Sequence, residues 1–195
     1  MNNVPGWMSD PDLEAINNIC ARVSPGAYIL EIGSFLGRSS AQWASNLPTS
    51  TIICVDAWIG VPTDYLPIHY LDQCQGDRMQ LYPNNPTFNQ FLNNMRHHSN
   101  IIPIRMNSQE FSWVWNESPA VIFIDGDHTD DGVKSDLDSC FTKWQAQPHT
   151  IICGHDYDIN WNTGVYRQVN SFATTYGYEV ILHNSSTVWE LRKSI

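Results

Sequence analysis

The sequence predicts an α/β domain with a mostly parallel sheet, and three observations lead there. Short apolar runs alternate with segments of helical period along the whole chain. Carboxylates, imidazoles and glycines gather where those runs end. The last two runs are separated only by a short polar turn, so the chain should close on an antiparallel hairpin.

The elements follow in order. Asp10-Pro11-Asp12 reads as a cap with proline at the start of a helix carrying Leu13, Ile16, Cys20 and Val23, stopped by Ser24-Pro25-Gly26. Residues 1–26 thus form an N-terminal helical segment. Tyr28 to Ile32 is a first strand, turning through Gly33 and Gly37 into a helix with Ala41, Trp43, Ala44 and Leu47. Thr51 to Asp56 is a second strand, apolar until its terminal carboxylate. Ala57 to Tyr82 is long, irregular and aromatic, the profile of a functional loop. Pro86 opens a helix with Phe88, Phe91, Leu92 and Met95, and residues 57–100 together read as a lid or substrate insertion in a single domain of 195 residues. Ile101 to Arg105 is a third strand, Gln109 to Trp115 a short helix, and Ala120 to Ile124 a fourth strand. A helix from Asp131 to Trp144 turns Val133, Leu137, Cys140 and Phe141 inward. Thr150 to Cys153 is the fifth strand, and Thr163 to Tyr176 a helix. Tyr178 to His183 and Thr187 to Arg192 make the hairpin around Asn184-Ser185-Ser186.

Composition narrows the partners. Ten basic residues against twenty acidic ones leave a net charge of -10. Nucleic-acid affinity rests on Lys and Arg neutralising phosphates, so a nucleic acid is disfavoured, and so is an anionic membrane. A small molecule is the expected partner. No apolar run reaches the ~18 residues of a membrane span, and the first ten residues lack the pattern of a signal peptide. Five cysteines with no C-x-x-C pair argue against structural zinc and a disulfide framework, which favours the reducing cytoplasm. The aromatic content fits a homodimer.

Ligands in open α/β sheets bind at the carboxyl ends of the strands, near the switch point of strand order. Glu31-Ile32-Gly33-Ser34-Phe35-Leu36-Gly37-Arg38-Ser39 is a strand entering a glycine turn and then a helix, which offers backbone N–H groups to a ligand. Phe35 and Leu36 replace the glycines of a dinucleotide fingerprint, and the acid before the turn welcomes a cation rather than a phosphate. Asp56 stands about 20 residues farther on, where an acid accepts ribose hydroxyls. Asp125-Gly126-Asp127-His128 and His155-Asp156-Tyr157 end the fourth and fifth strands and should face one another. Three carboxylates and two imidazoles at one edge call for a neutralising charge, such as Mg²⁺ or Mn²⁺. The alternative is that Asp125 touches only a cofactor and the rest are hydrated. Asp131, Asp136 and Asp138 read as first-turn and solvent-face charges.

Taken together, Glu31-x-Gly33-x-x-x-Gly37-x-Ser39, Asp56, Asp125-Gly126-Asp127-His128 with Val133 and Asp136-Leu137, and His155-Asp156-Tyr157 resemble the class I S-adenosylmethionine-dependent methyltransferases. More narrowly they resemble the bacterial small-molecule O-methyltransferases related to macrocin and catechol O-methyltransferases. The resemblance runs from Ala27 to the C-terminus. It implies a Rossmann-like three-layer sandwich with a seven-stranded sheet. It implies that Gly33, Ser34, Gly37 and Ser39 line the methionine part of S-adenosylmethionine, with Glu31 near its amino group. Asp56 would hold the ribose, and Ala57, Asn107 and Ser108 would flank the adenine. Asp125 would face the cofactor and, with His155 and Asp156, supply the metal ligands; His155 stands where metal-using relatives carry an acid.

The implied reaction aligns an acceptor hydroxyl with the sulfonium methyl and removes its proton. Asp127 is the first candidate base and His128 the second. Trp58, Tyr65 and Tyr70 would close over the site. A non-catalytic cofactor-binding module and a metal-dependent hydrolase or hydroxylase are the competing readings.

Overall fold

The computed structural model describes residues 4–59 and 86–193. Seven strands form one sheet in the order β3-β2-β1-β4-β5-β7-β6. They are β1 (Tyr28–Ile32), β2 (Thr51–Asp56), β3 (Ile101–Arg105), β4 (Val121–Ile124), β5 (Ile151–Gly154), β6 (Tyr178–Leu182) and β7 (Trp189–Lys193). Strands β1 to β5 pair in parallel, whereas β7 runs antiparallel to both β5 and β6. Strand order reverses between β1 and β4, which sets the switch point at their carboxyl ends.

The helices are α1 (Asp10–Cys20), α2 (Arg38–Asn46), α3 (Pro86–Met95), α4 (Asp130–Thr142) and α5 (Thr163–Tyr176). Strand side chains alternate between the faces, so each apolar strand feeds both cores. Leu30, Ile32, Ile53, Val55, Ile122 and Ile124 meet Val133 and Leu137 of α4 and Val169 and Phe172 of α5. Ile29, Ile52, Cys54, Val121 and Phe123 meet Ile16 and Ile19 of α1, Trp43 of α2 and Phe91 of α3. The result is the three-layer sandwich that the resemblance implied. No helix among the described residues is long and apolar enough to cross a membrane.

Some local expectations change. The cap of α1 is Ser9, in a reciprocal box with Asp12, and Asp10 and Pro11 fall inside the first turn. Gln109 to Trp115 is not a helix. Residues 108–110 make a turn, and the Trp113 N–H donates to Lys143 O at 3.0 Å instead of to its own preceding turn. Trp58 belongs to the core rather than to a cover, packed 4.7 Å from Phe88 and 4.9 Å from Phe91 between ring centroids. Tyr65 and Tyr70 lie outside the described residues.

The two ends of the sandwich are tied together. Arg22, just past α1, donates Nη1 and Nη2 to Glu190 Oε1 and Oε2 of β7 at 2.9 and 2.6 Å. A bidentate pair of this kind fixes orientation as well as distance.

Candidate active site

The turn after β1 is built from the sheet outward. The Gly33 N–H donates to Val55 O and the Asp125 N–H to Ile32 O, so the parallel ladder continues past the strand ends and brings the turn against Asp125. Gly33 has φ +85°, and a Cβ there would lie 2.0 Å from the Asp125 carbonyl oxygen. Only glycine fits that approach. Glu31 is wholly buried beneath the turn, where its Oε2 accepts from Ser34 and Ser40 while Oε1 has no hydrogen-bond partner. Burial pushes its carboxyl above the ordinary range, and the serine hydroxyls oppose that rise.

Phe35 takes φ +45°, and its N–H donates to Asp56 Oδ2 at 2.8 Å. The Trp58 N–H donates to Asp56 Oδ1 at 2.6 Å, and its indole Nε1 to Phe35 O at 2.7 Å. Asp56 thereby locks the turn to the end of β2, and its carboxylate retains acceptor capacity for a further donor. Burial raises its pKa against these backbone donors. Residues 4–9 lie over the same turn. Arg38 donates to Met8 O at 2.8 Å and Val4 O at 3.0 Å, and the Trp7 ring stacks on Phe35 at 4.9 Å.

Across the switch point, Asp125, His128 and Asp156 offer ligand atoms that all lie within 4.8 Å of one another. His128 Nε2 is 3.7 Å from Asp125 Oδ1 and 3.2 Å from Asp156 Oδ2. Asp156 reaches this position through a left-handed backbone at φ +61°, an uncommon conformation for a residue with a side chain. Behind them His155, 5% exposed, points Nδ1 at Asp125 Oδ1 and Asp156 Oδ2, 3.5 Å from each. Its Nε2 lies 3.2 Å from Asp12 Oδ2.

The electrostatics follow from those distances. Burial alone would lower the pKa of His155, but Asp125, Asp12 and Asp156 outweigh it and hold it far above the usual imidazole value. Burial alone would raise Asp125, but His155 and His128 keep it below the ordinary carboxylate range. His128 is raised, its burial overcome by Asp125 and Asp156. Opposite charges at 3–4 Å therefore stabilise the ionised forms throughout.

A family model described as a methyltransferase domain matches residues 30–157, from β1 through the cluster after β5. The chain belongs to this methyltransferase family. Its methyl donor is S-adenosylmethionine. Solved structures show the same fold at low identity. The O-methyltransferase NovP is 14% identical with a TM-score of 0.67, over 94% of this chain and 80% of that one. The calicheamicin methyltransferase CalS11 is 16% identical at 0.60, over 98% and 83%. The S-adenosylhomocysteine-bound methyltransferase PaMTH1 of Podospora anserina is 13% identical at 0.53, over 99% and 91%. No curated protein matches the chain at a significant level.

The methyltransferase's residues fit its cofactor. Ser34 and Ser39 sit in the turn and the first turn of α2, whose N-cap, Gly37 at φ +92°, contributes no side-chain bond to the helix N–H groups. The orphaned Glu31 oxygen under the turn suits an ammonium donor, and the Asp56 carboxylate at the end of β2 suits ribose hydroxyls. Ala57 follows Asp56 at the same edge. Asn107 is exposed and caps its own turn, accepting from Gln109 N at 3.0 Å. Ser108 instead turns inward, donating to Asp136 Oδ1 at 2.7 Å.

Three site features were not anticipated. Asp136 is no solvent-face charge: it is 1% exposed, with Oδ2 unpartnered, and burial, reinforced by nearby Asp127, raises its pKa to about 6 despite the Ser108 bond. Asp127 stands apart from the cluster, accepting from Thr129 N at 2.9 Å and packing on Gly132. The compact donor set contains His128, with His155 behind it engaged by Asp12. Helical spacing from Val133 and to Cys140 already pointed Asp136 inward, but no local pattern links Asp12 to His155.

Proposed function

We propose that this methyltransferase transfers the methyl group of S-adenosylmethionine to a hydroxyl of a small molecule, and that Asp125, His128 and Asp156 handle that hydroxyl with a divalent cation. The observation that carries the reading is the set of three converging donors beside the cofactor turn. Two carboxylates and an imidazole make a mixed oxygen–nitrogen shell, which suits Mn²⁺, Fe²⁺, Co²⁺ or Zn²⁺ better than Mg²⁺. Bound there, such a cation would lower the pKa of a coordinated hydroxyl towards neutrality.

The chain's own groups supply the rest. Asp56 and the Gly33 turn would hold the donor molecule at the same sheet edge as Asp125. Asp127, exposed in the strand-end loop before α4, serves as acceptor for the hydroxyl proton, and His128, when it holds no cation, is the second candidate. His155 lies between the carboxylates of Asp12, Asp125 and Asp156, 3.2 to 3.5 Å from each.

An acidic protein with four buried free thiols among its described residues fits a small-molecule enzyme of the cytoplasm. The O-methyltransferase NovP and the TDP-rhamnose 3'-O-methyltransferase CalS11, which share the fold, are consistent with a hydroxyl acceptor. The test is methyl transfer from labelled S-adenosylmethionine to a panel of phenols, catechols and sugars, with and without excess chelator. Chelation should abolish turnover, Mn²⁺ should restore it, and S-adenosylhomocysteine affinity should not change. Full turnover in chelator removes the cation from the reaction.

A further inference from the structure

Asp12 reaches the site from α1, outside the stretch the family model covers. A helix-capping carboxylate ordinarily sits at the surface; this one is 4% exposed. Its Oδ2 accepts from Ser9 N at 2.8 Å and Ser9 Oγ at 2.6 Å, and the same oxygen lies 3.2 Å from His155 Nε2. Its Oδ1 accepts from Ser186 Oγ at 2.8 Å and Thr187 N at 3.0 Å in the hairpin turn. One carboxylate thus hydrogen-bonds the helix cap and the hairpin and lies in ion-pair contact with the imidazole behind the donor cluster.

The two nitrogens of an imidazole lie on different edges of a rigid ring, so fixing one aims the other. With Nε2 in ion-pair contact with Asp12 at 3.2 Å and without a hydrogen-bond partner of its own, Nδ1 faces Asp125 and Asp156 at equal distance. We propose that Asp12 is a positioning residue for methyl transfer: it holds His155 so that Nδ1 braces the Asp125 and Asp156 carboxylates towards the acceptor. The assignment rests on the reading that these two carboxylates handle the acceptor.

The competing role is purely structural, since Asp12 also anchors the hairpin, and the test separates the two in the full-length chain. Asp12→Asn replaces the charge facing His155; Ser186→Ala removes a hairpin contact and leaves the His155 pair in place. Mn²⁺ affinity by water-proton relaxation reports on Asp125 and Asp156, and S-adenosylhomocysteine affinity by calorimetry reports on the cofactor turn. Asp12→Asn should weaken Mn²⁺ about tenfold or more while leaving S-adenosylhomocysteine within about twofold, and Ser186→Ala should move neither. In a His155→Gln background Asp12→Asn should add nothing further, because the effect passes through the ring. Equal effects of Asp12→Asn and Ser186→Ala, or an undiminished effect in the His155→Gln background, overturn the proposal. Long-range ¹H–¹⁵N spectra of the His155 ring decide without any ligand. The ring pattern should change in Asp12→Asn and persist in Ser186→Ala, and an unchanged pattern in Asp12→Asn overturns the assignment. If the wild-type chain binds no Mn²⁺, the cation reading fails by itself, and these spectra still judge Asp12.

Discussion

Replacing Asp136 with asparagine isolates the cost of burying one carboxyl group under the Ser108 turn. The side chain is 1% exposed, its Oδ1 holds one hydrogen bond and its Oδ2 none, and its pKa rises from 3.8 to about 6. An acid whose pKa is raised by folding favours the native state while it is protonated. That contribution is complete below pH 3.8 and is lost as pH rises through about 6. At 1.36 kcal/mol per pH unit, the full loss is about 3 kcal/mol. Roughly half has gone by about pH 5, where the unfolded chain is already ionised, and the remainder goes by about pH 8. Asparagine keeps the shape and an acceptor for Ser108 but never ionises. The stability of Asp136→Asn relative to wild type should therefore increase by a little over ~1 kcal/mol from about pH 5 to about pH 8. Urea unfolding of both proteins across that range measures it, and taking the difference cancels the other titrating groups. A difference that stays flat, or narrows as pH rises, refutes the reasoning.

Other expectations concern the cofactor turn and the clasp between α1 and β7. Asp56→Ala should weaken S-adenosylhomocysteine about tenfold or more in calorimetry, because it removes the ribose acceptor and releases the Phe35 and Trp58 N–H groups. Gly33→Ala should cost about 3 kcal/mol or more, lowering the melting temperature by roughly 10 °C, since its Cβ would meet the Asp125 carbonyl at 2.0 Å. Arg22→Ala should destabilise by about 3 kcal/mol in denaturant unfolding, because it strips the near-buried Glu190 of its bidentate partner. A loss below about 0.5 kcal/mol would mean that Arg192 and His183 compensate.

How far the sequence could be read depends on whether the deciding contacts are local. Tyr28–Ile32 and its glycine turn were legible because an apolar strand and a forced left-handed backbone leave a local trace. Asp56 and Asp125 were placed at the same edge because each ends a strand of the parallel sheet. Gln109–Trp115 misled because its helix-like spacing is overridden by bonds to residues around 143 and by Trp113 Nε1 donating to Glu117 O. Asp136 carries a charge that points to solvent, yet its position between Val133 and Cys140 puts it on the buried face of α4. Asp12 was legible as part of a cap and nothing more. Its second role depends on residues 155, 186 and 187 returning to it, and that is a property of topology rather than of local pattern.

The Arg22–Glu190 and Asp12–Ser186 links join positions separated by 168 and 174 residues. Contacts that distant form late, after the intervening sheet has closed the loop between them. During vectorial synthesis Asp12 and Arg22 would wait, unpaired with the hairpin, until it had cleared the ribosome. A fragment cut to the central 128 residues, 30–157, would keep the glycine turn yet leave His155 without its rear carboxylate and β5 with an open flank. Such a piece should be sticky and inert, so shortened versions of this enzyme are poor substitutes for the whole.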